Sequence, residues 1–191
     1  MSKVTWNGST LLGPIPPVLV TCGPMEHPNV LTIAWTGIIN TIPPKTYISV
    51  RPERHSYSLI RESGEFVLNL PTAKLVRAVD YCGVKSGKDV DKWKEMHLTP
   101  VSASRVSCPL LAESPLSLEC RVTDVISMGS HDMFLADIIA TDVEESLLDD
   151  KGALHLERAG LLAFAHGTYY ALGDRLGTFG YSVRKKKKRR K

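Results

Sequence analysis

Two strand-forming runs separated by a proline pair, within residues 29–56, constrain the fold more than any other feature of the sequence. Residues 29–40 are rich in β-branched and aromatic side chains, which fit the pleated and largely buried surface of a strand. Residues 41–44 contain two prolines, which cannot donate to a sheet ladder, so a turn is predicted there. A second strand is predicted over residues 46–51. The stretch therefore indicates two strands joined by an irregular reversal.

Small and hydroxylated residues interrupt both predicted strands, at positions 34–37 and 49–51. They leave room for a flat ligand to approach the backbone. The residues that follow Pro52, with the sequence ERHS, indicate the start of a helix, whose free amide groups and basic side chains can hold an anion. An ordinary helix start with solvated charges explains the same residues, and the sequence leaves both interpretations open.

The length and the cysteine pattern limit the class of protein. A chain of 191 residues is long enough for one domain with a sizeable core. The first residues lack the pattern of a signal peptide, and no apolar run approaches the roughly 20 residues of a membrane helix, so a cytoplasmic protein is predicted. The four cysteines show no C-x-x-C pair and no zinc-type spacing, so we expect buried free thiols and no metal site. Cys82, beside Gly83, is the one thiol that could meet a ligand.

The basic residues are distributed unevenly along the chain. Residues 184–191, RKKKKRRK, carry eight of the 24 basic side chains, which leaves 16 basic against 20 acidic residues in the remainder. A block of like charges repels itself, so residues 184–191 are predicted to be a disordered tail and residues 1–183 a single folded domain. The tail is expected to attract polyanions weakly, and no dedicated nucleic-acid or membrane partner is expected.

Two polar features each have more than one interpretation. Asn69 lies in a predicted strand over residues 65–70, where it either faces solvent by simple alternation or lines a polar pocket. Residues 82–96, CGVKSGKDVDKWKEM, combine two glycines with several donors and could wrap a phosphate, although the spacing matches neither a P-loop nor a Rossmann turn. A flexible surface loop would carry the same lysines.

The remaining pattern is mostly β. A helix is predicted over residues 73–81, with Thr72 as its N-cap. Alternating residues from Leu116 and a long strand over residues 133–143 predict a hairpin whose turn presents His131. An exposed turn residue is the simpler interpretation of that histidine. Six or more strands with three short helices gathered in the middle favour a barrel-like antiparallel sheet over regular β-α-β alternation.

Five segments, taken in sequence order, form a recognisable pattern. They are PNVLTIAWTGIINTIPPKTYISVRPERHSYSLI, GEFVLNL, CGVKSGKDVDKW, GSHDMFLADI and YYALGDRLGTFGYSVRKKKK. From about Pro16 to Val183 the chain resembles the flavin reductase-like family of FMN-binding split barrels, and within it the flavoredoxin-like members. The resemblance implies a mainly β fold with short helices, a six-stranded antiparallel Greek-key split β-barrel. It also implies a homodimer with one non-covalent FMN per subunit near the dimer interface.

The resemblance also implies which residues bind FMN. Residues 34–37 and 49–51 would lie beside the ring and the ribityl chain, and residues 54–56 beside the phosphate. Residues 86 and 87 would lie where a loop closes over the flavin, with Lys85, Lys88 or Lys92 adding charge. The predicted FMN-binding residues are Ala34, Trp35, Thr36, Gly37, Ser49, Val50, Arg51, Arg54, His55, Ser56, Asn69, Ser86, Gly87, Lys92 and Tyr169.

His131 is the predicted catalytic residue, because it matches a histidine that lies by the flavin and the nicotinamide nucleotide in reductases of the family. Ser130 stands where those reductases carry an acidic residue. The resemblance implies an oxidoreductase that moves hydride or electrons from NAD(P)H through FMN to an acceptor. A second hypothesis is a flavoredoxin-like electron carrier that a partner protein reduces, without its own NAD(P)H site. A third is a barrel that keeps FMN as a ligand without turnover.

Overall fold

Seven strands form one antiparallel sheet in the computed structural model of the protein, which describes residues 1–184. The strands of the described residues are β1 (Val18–Cys22), β2 (Asn29–Ile33), β3 (Thr36–Thr41), β4 (Pro44–Val50), β5 (Glu65–Asn69), β6 (Pro100–Val101), β7 (Leu110–Leu111), β8 (Leu116–Ser127), β9 (Asp132–Val143), β10 (Leu162–Ala165) and β11 (Thr168–Ala171). The main sheet has the order β2-β1-β5-β8-β9-β4-β3, and β6-β7 and β10-β11 are separate pairs. The predicted tail, apart from Arg184, lies outside the described residues.

The main sheet closes on itself at one corner. Its two edge strands, β2 and β3, follow one another in the chain and are joined by Ala34 and Trp35 alone. Three peptide units span at most about 11 Å, so the two edges must meet at this corner and the sheet must curl. The predicted fold class, a mainly β antiparallel split barrel with short helices, is confirmed. The expected strand over residues 29–40 is wrong, because it breaks at this corner into two strands, and the main sheet has seven strands rather than six.

Three short α-helices lie between β4 and β6: α1 (His55–Ser63), α2 (Val76–Val84) and α3 (Lys92–Glu95). The predicted helix over residues 73–81 begins instead with a 3-10 turn at Ala73–Leu75, and Thr72 makes no side-chain cap. Gly83 is helical, and a Cβ there would lie 3.3 Å from Thr32 Cβ, so α2 packs closely on β2. No helix within residues 1–184 is long and apolar enough to cross a membrane.

Two hydrophobic clusters cover the two faces of β1. Val20 and its alternate neighbours pack inside the barrel with Ile48, Phe66 and Phe134. Leu19 points the other way and packs with residues of α2 and α3, among them Val79. Because both faces are covered, all five residues of β1 are buried. The outer cluster packs α2 and α3 against β1 and β2.

The long β8–β9 hairpin is confirmed, and its turn is shorter than the turn over residues 126–132 that the sequence predicts. Strand β8 continues to Ser127 and β9 begins at Asp132, so residues 128–131 form the turn. All four cysteines are free and buried, as predicted. Within the described residues there is no group of three histidine, cysteine, aspartate or glutamate side chains that could hold a metal ion.

Candidate functional site

Three adjoining cavities form one groove along β2, the β2–β3 corner and the end of β4. The basic end has a volume of about 350 Å³ and extends from β2 to the N-terminus of α1 and the loop after α2. The middle section, of about 160 Å³, shares Arg51 and Arg54 with the basic end and Trp35 and Ser49 with the next cavity. The apolar end, of about 450 Å³, lies between the β2–β3 corner and the β8–β9 turn.

The basic end combines free amide groups with three exposed, positively charged side chains. Helix α1 starts at His55 without a side-chain cap and has no acidic residue in its first turn. Its first amides are therefore free to bind an anion, and the helix dipole favours negative charge there. The side chains of Arg51, Arg54 and Lys85 line the same cavity. Glu53 pairs with Arg51 at 3.3 Å, but both side chains are largely exposed.

Gly87 seals this end against the wall formed by Asn29 and His55. A Cβ on Gly87 would lie 2.2 Å from Asn29 Oδ1 and 3.0 Å from His55 Cδ2, so the backbone of the loop approaches more closely than any side chain would allow. Asn29 Nδ2 also donates a hydrogen bond of 2.6 Å to Ser56 Oγ, which is buried. The loop, the first strand residue of β2 and the first turn of α1 are thus fixed to one another.

Lys92, on α3, also lines the basic end. The residue is only 4% exposed, and Nζ donates to Val30 O at 2.8 Å and to Cys82 O at 3.0 Å. Burial lowers the pKa of this ammonium below its usual range. Burial also raises the pKa of the Cys82 thiol to about 11, so Cys82 lines the cavity as a protonated thiol rather than a reactive thiolate.

The rings of Trp35 and His131 pack against each other in a tilted arrangement where the middle section meets the apolar end. Their ring centroids are 4.7 Å apart with an angle of 41° between the planes, and Trp35 remains 42% exposed. Burial, followed by the positive charges of Arg51 and Arg54, lowers the pKa of His131. The imidazole is therefore neutral at neutral pH, with Nδ1 at 3.0 Å from Ser130 Oγ.

The apolar end combines sulfur-containing and aromatic side chains with a few hydroxyl groups. Tyr47, Met128 and Met133 line it beside the Trp35–His131 pair, and the N-terminal segment covers one side through Leu12 and neighbouring residues. Ile15 holds this segment in place, since it exchanges two backbone hydrogen bonds of 2.9 Å with Phe164. Such a surface suits a flat, largely apolar group.

The groove brings together most of the residues predicted from the sequence. Those that line it are Ala34, Trp35, Thr36, Ser49, Val50, Arg51, Arg54, His55, Ser56, Ser86, Gly87, Lys92 and His131. Gly37 lies one residue beyond it on β3, against the ring of Tyr47.

Asn69 and Tyr169 differ from the other predicted residues, because neither lines the three cavities of the groove. Asn69 is fully buried: its Nδ2 donates to Leu19 O and Thr21 Oγ1, and its Oδ1 accepts from Leu111 N and Ser117 Oγ. Its amide is therefore satisfied inside the protein and faces neither solvent nor a ligand pocket.

Tyr169 lies on β11, where its ring packs against Phe164 with centroids 5.1 Å apart. Its hydroxyl donates to Asp80 Oδ1 at 3.4 Å. This side chain thus links the β10–β11 pair to α2, away from the lining of the three cavities.

Several residues that line the groove were not predicted from the sequence. Asn29 carried a usable signal, because a polar amide at the first position of a buried strand requires a hydrogen-bond partner. Met128 and Met133 flank the predicted turn and could have been recognised as a soft apolar patch. The N-terminal residues Ser9, Thr10 and Leu12 carried no signal, because long-range pairing at Ile15 alone brings them to the groove.

The fold and the groove together define a class of protein, and comparison with known proteins gives the same class. The chain belongs to the flavin reductase-like domain family, whose model matches residues 13–173. An uncharacterised protein of Archaeoglobus fulgidus is 32% identical over 140 residues, which cover 73% of this chain and 78% of that protein.

Two solved structures have the same fold over nearly the whole chain. Flavoredoxin of Desulfovibrio vulgaris (Miyazaki F) is 31% identical with a TM-score of 0.88, covering 96% of this chain and 100% of that one. Flavoredoxin from Methanosarcina acetivorans is 26% identical with a TM-score of 0.86 and the same coverage. The recognised family is thus confirmed, and the chain has the fold of flavin reductase-like flavoproteins.

Proposed function

We propose that the groove binds FMN non-covalently and that the protein is a flavin reductase-like oxidoreductase that moves electrons from NAD(P)H through FMN to an acceptor. The observation that carries the proposal is the polarity of the groove, which is cationic at one end and aromatic and apolar at the other. FMN has the same polarity, with a phosphate at one end of a ribityl chain and a flat ring at the other. The family and the two flavoredoxin neighbours give independent support.

The donor set of the basic end fits a phosphate. The free amides of the first turn of α1, the arginines Arg51 and Arg54 and the hydroxyl of Ser86 all face one cavity. Arginine and helix amides are typical phosphate donors. Ser56, in contrast, is held by Asn29, so we propose that it positions the first turn of α1.

The middle section and the corner fit the ribityl chain and the ring. Strand β2 ends at Ile33, so Ala34 and Trp35 bring backbone groups to the groove without the full ladder of a strand. Ser49 faces the same cavity from β4. Such groups bond ring edges without adding a charge. When bound, FMN supplies hydride and electron-transfer chemistry, and the protein supplies binding, orientation and electrostatics.

His131 is proposed to act beside the ring as a neutral imidazole. Its Nε2 is free of hydrogen-bond partners within the described residues, while Nδ1 faces Ser130. A neutral imidazole can donate or accept one hydrogen bond at Nε2 without placing a charge by an apolar ring. The open apolar end next to Trp35 leaves access for a nicotinamide or another flat electron donor.

A visible absorption spectrum of the protein saturated with FMN tests the binding step. We expect a shifted, protein-bound flavin spectrum and a stoichiometry of one FMN per chain. Absence of any bound flavin at saturating FMN would overturn the proposed function.

An electron carrier is the second candidate, because Ser130 replaces the acidic residue of the family reductases and because two similar structures are flavoredoxins. In that case a partner protein would reduce the flavin. Anaerobic stopped-flow mixing of the FMN-loaded protein with NADH and with NADPH separates the candidates. Rapid bleaching by either nucleotide supports the reductase, and no bleaching by either supports the carrier.

We also propose a homodimer in the cytoplasm. Three isoleucines of β3 and the following turn are exposed, with Ile38 at 63%, Ile39 at 47% and Ile42 at 90%. An exposed apolar edge strand is a liability that a partner copy would remove. The four unpaired cysteines agree with a reducing compartment.

A further inference from the structure

The N-terminal segment lines one side of the apolar end of the groove. The residues that reach this cavity lie shortly before Ile15, and they are Ser9, Thr10 and Leu12. We call residues 9–12 the N-terminal strap. Three residues of extended chain span at most about 11 Å, so the backbone hydrogen bonds between Ile15 and Phe164 keep Leu12 close to the cavity.

Large apolar side chains around this cavity remain in contact with water. Leu12 is 85% exposed, Met128 in the β8–β9 turn is 64% exposed, and Trp35 is 42% exposed. Exposed apolar side chains that surround one cavity favour a flat apolar occupant, because its binding removes all of them from water together. The strap therefore supplies part of a binding surface.

The strap borders only the outer part of the groove. Trp35 and Ser49 line both the middle section and the apolar end, whereas the strap residues line the apolar end alone. A flavin ring that is held through the middle section would extend into the apolar end, with the strap next to its free side. The strap then borders the space in which a second molecule meets the ring.

The chemistry of this space indicates the class of the second molecule. No charged side chain of the described residues lines the apolar end, and its polar groups are hydroxyls and the neutral imidazole of His131. Such a surface gives no compensation for burying a charge. The cavity therefore suits a flat, uncharged molecule.

We propose that the N-terminal strap selects the electron acceptor by size, with Leu12 as the outer wall of the space beside the flavin ring, and that the acceptor is a flat, uncharged molecule such as a quinone. The proposal rests on the proposed function and deepens it, because it names the class of acceptor and the residue that limits its size. Leu12 is a specificity-determining residue and transfers neither protons nor electrons.

The transfer to a quinone balances without a further reactant. The quinone accepts two electrons and two protons from the reduced flavin and leaves as a hydroquinone, and the flavin returns to its oxidised form. Leu12 limits only which molecules come within reach of the ring. A purely structural strap gives a different result, because changes at Leu12 would then alter stability or FMN affinity but would slow or speed small and large acceptors equally.

The first experiment locates Leu12 relative to bound FMN through the reactivity of an introduced thiol. The four native cysteines are buried, and burial raises the pKa of each thiol, so they react slowly. In Leu12→Cys we expect FMN at about 100 times its Kd to slow alkylation by iodoacetamide about tenfold or more, because the bound ring covers the thiol.

Leu11→Cys is the matched control for this measurement. Leu11 is 52% exposed and adjacent in the chain, but it does not line the cavity. FMN should change its alkylation rate by less than about twofold. Equal protection at the two positions, or protection at neither, overturns the proposal.

The second experiment measures selection by size. FMN-loaded proteins are reduced anaerobically with one equivalent of dithionite and mixed with 1,4-benzoquinone or the larger 1,4-naphthoquinone in a stopped-flow instrument. We expect Leu12→Ala to raise the naphthoquinone-to-benzoquinone rate ratio about tenfold, which is the lower end of the discrimination that a hydrophobic pocket achieves. Leu12→Trp should lower the ratio, because the larger side chain narrows the space.

Leu11→Ala is the control for the rates and should keep the ratio within about twofold of wild type, as expected for an exposed position. The same ratio in wild type, Leu12→Ala and Leu12→Trp overturns the proposal. Failure of wild type to bind FMN overturns the proposed function instead.

Discussion

Single residues of the basic end contribute charge in two different ways. Arg51 and Arg54 are exposed, so water and salt screen their charges and their side chains are free to adapt. Lys92 is buried, and its ammonium is held in place by two backbone carbonyl groups. The two arginines are therefore free to adapt to a bound anion, whereas the lysine is held in one position.

Arg51 provides the first prediction at this scale. We expect Arg51→Ala to weaken FMN binding by about tenfold, the lower part of the range for a charged hydrogen bond because the side chain is exposed. Arg51→Lys should weaken it as well, since a planar fork with two donors is lost. Fluorescence titration measures both, and Arg77→Ala on the exposed surface of α2 is the matched control. Equal affinities of all four proteins would show that Arg51 does not hold the phosphate.

His131 provides the second prediction, which concerns pH. Because its pKa is lowered in the folded protein, protonation opposes folding, so stability should fall as pH drops below about 6.5, the usual pKa of histidine. His131→Gln cannot be protonated and should remove this part of the acid sensitivity. Thermal unfolding of both proteins between pH 7 and pH 5 measures it. Parallel curves for the two proteins would contradict a neutral, partly buried imidazole at this position.

At the scale of elements, the boundary between β2 and β3, which forms the corner of the groove, was not predicted from the sequence. The run over residues 29–40 has continuous β propensity, and no Gly or Pro marks the break at Ala34-Trp35. That break comes from barrel closure, a long-range constraint that local propensity does not contain. The start of α1 was predictable because ERHS follows a proline at a strand end, which is a local signal.

The same distinction explains why Asn69 and Tyr169, which were predicted to lie in the site, do not line the groove. Asn69 has a polar side chain in an apolar strand, which indicates an unusual position, but its partners Leu19, Leu111 and Ser117 come from three other strands. Only the assembled sheet decides between a pocket and an internal hydrogen-bond network. Tyr169 was assigned from the family pattern, and its contact with Asp80 depends on how β11 packs against α2.

Gly87 provides the prediction at this scale, since it fixes the loop after α2 to β2 and α1. In Gly87→Ala the new Cβ would overlap Asn29 Oδ1, so the loop must move away from the wall. We expect a loss of about 1–3 kcal/mol in the free energy of unfolding, as for other overpacked sites, and weaker FMN binding. Gly173→Ala is the control, because a Cβ there meets nothing within 4 Å. Denaturant unfolding and FMN titration measure both effects. Wild-type values for Gly87→Ala would contradict the close approach of Gly87 to Asn29 and His55.

At the scale of the whole molecule, the groove lies beside the most exposed apolar edge of the barrel. Trp35 forms the corner from which β3 departs, and β3 then carries Ile38 and Ile39 into solvent. A second copy that covers β3 would therefore also border the apolar end of the groove. Oligomeric state and flavin binding are accordingly expected to depend on each other.

The last prediction tests this dependence. Wild type should have twice the mass of the 21.1 kDa chain in light scattering coupled to size-exclusion chromatography. Ile38→Lys places a charge at the proposed interface and should give the monomer mass, with FMN affinity reduced about tenfold or more because the border of the apolar end is lost. Leu154→Lys, at a position 44% exposed outside the main sheet, should remain dimeric and bind FMN normally. A monomeric wild type would overturn the proposed dimer. If Ile38→Lys is monomeric but binds FMN with unchanged affinity, the dimer proposal stands, and the proposed dependence of FMN binding on dimerisation is wrong.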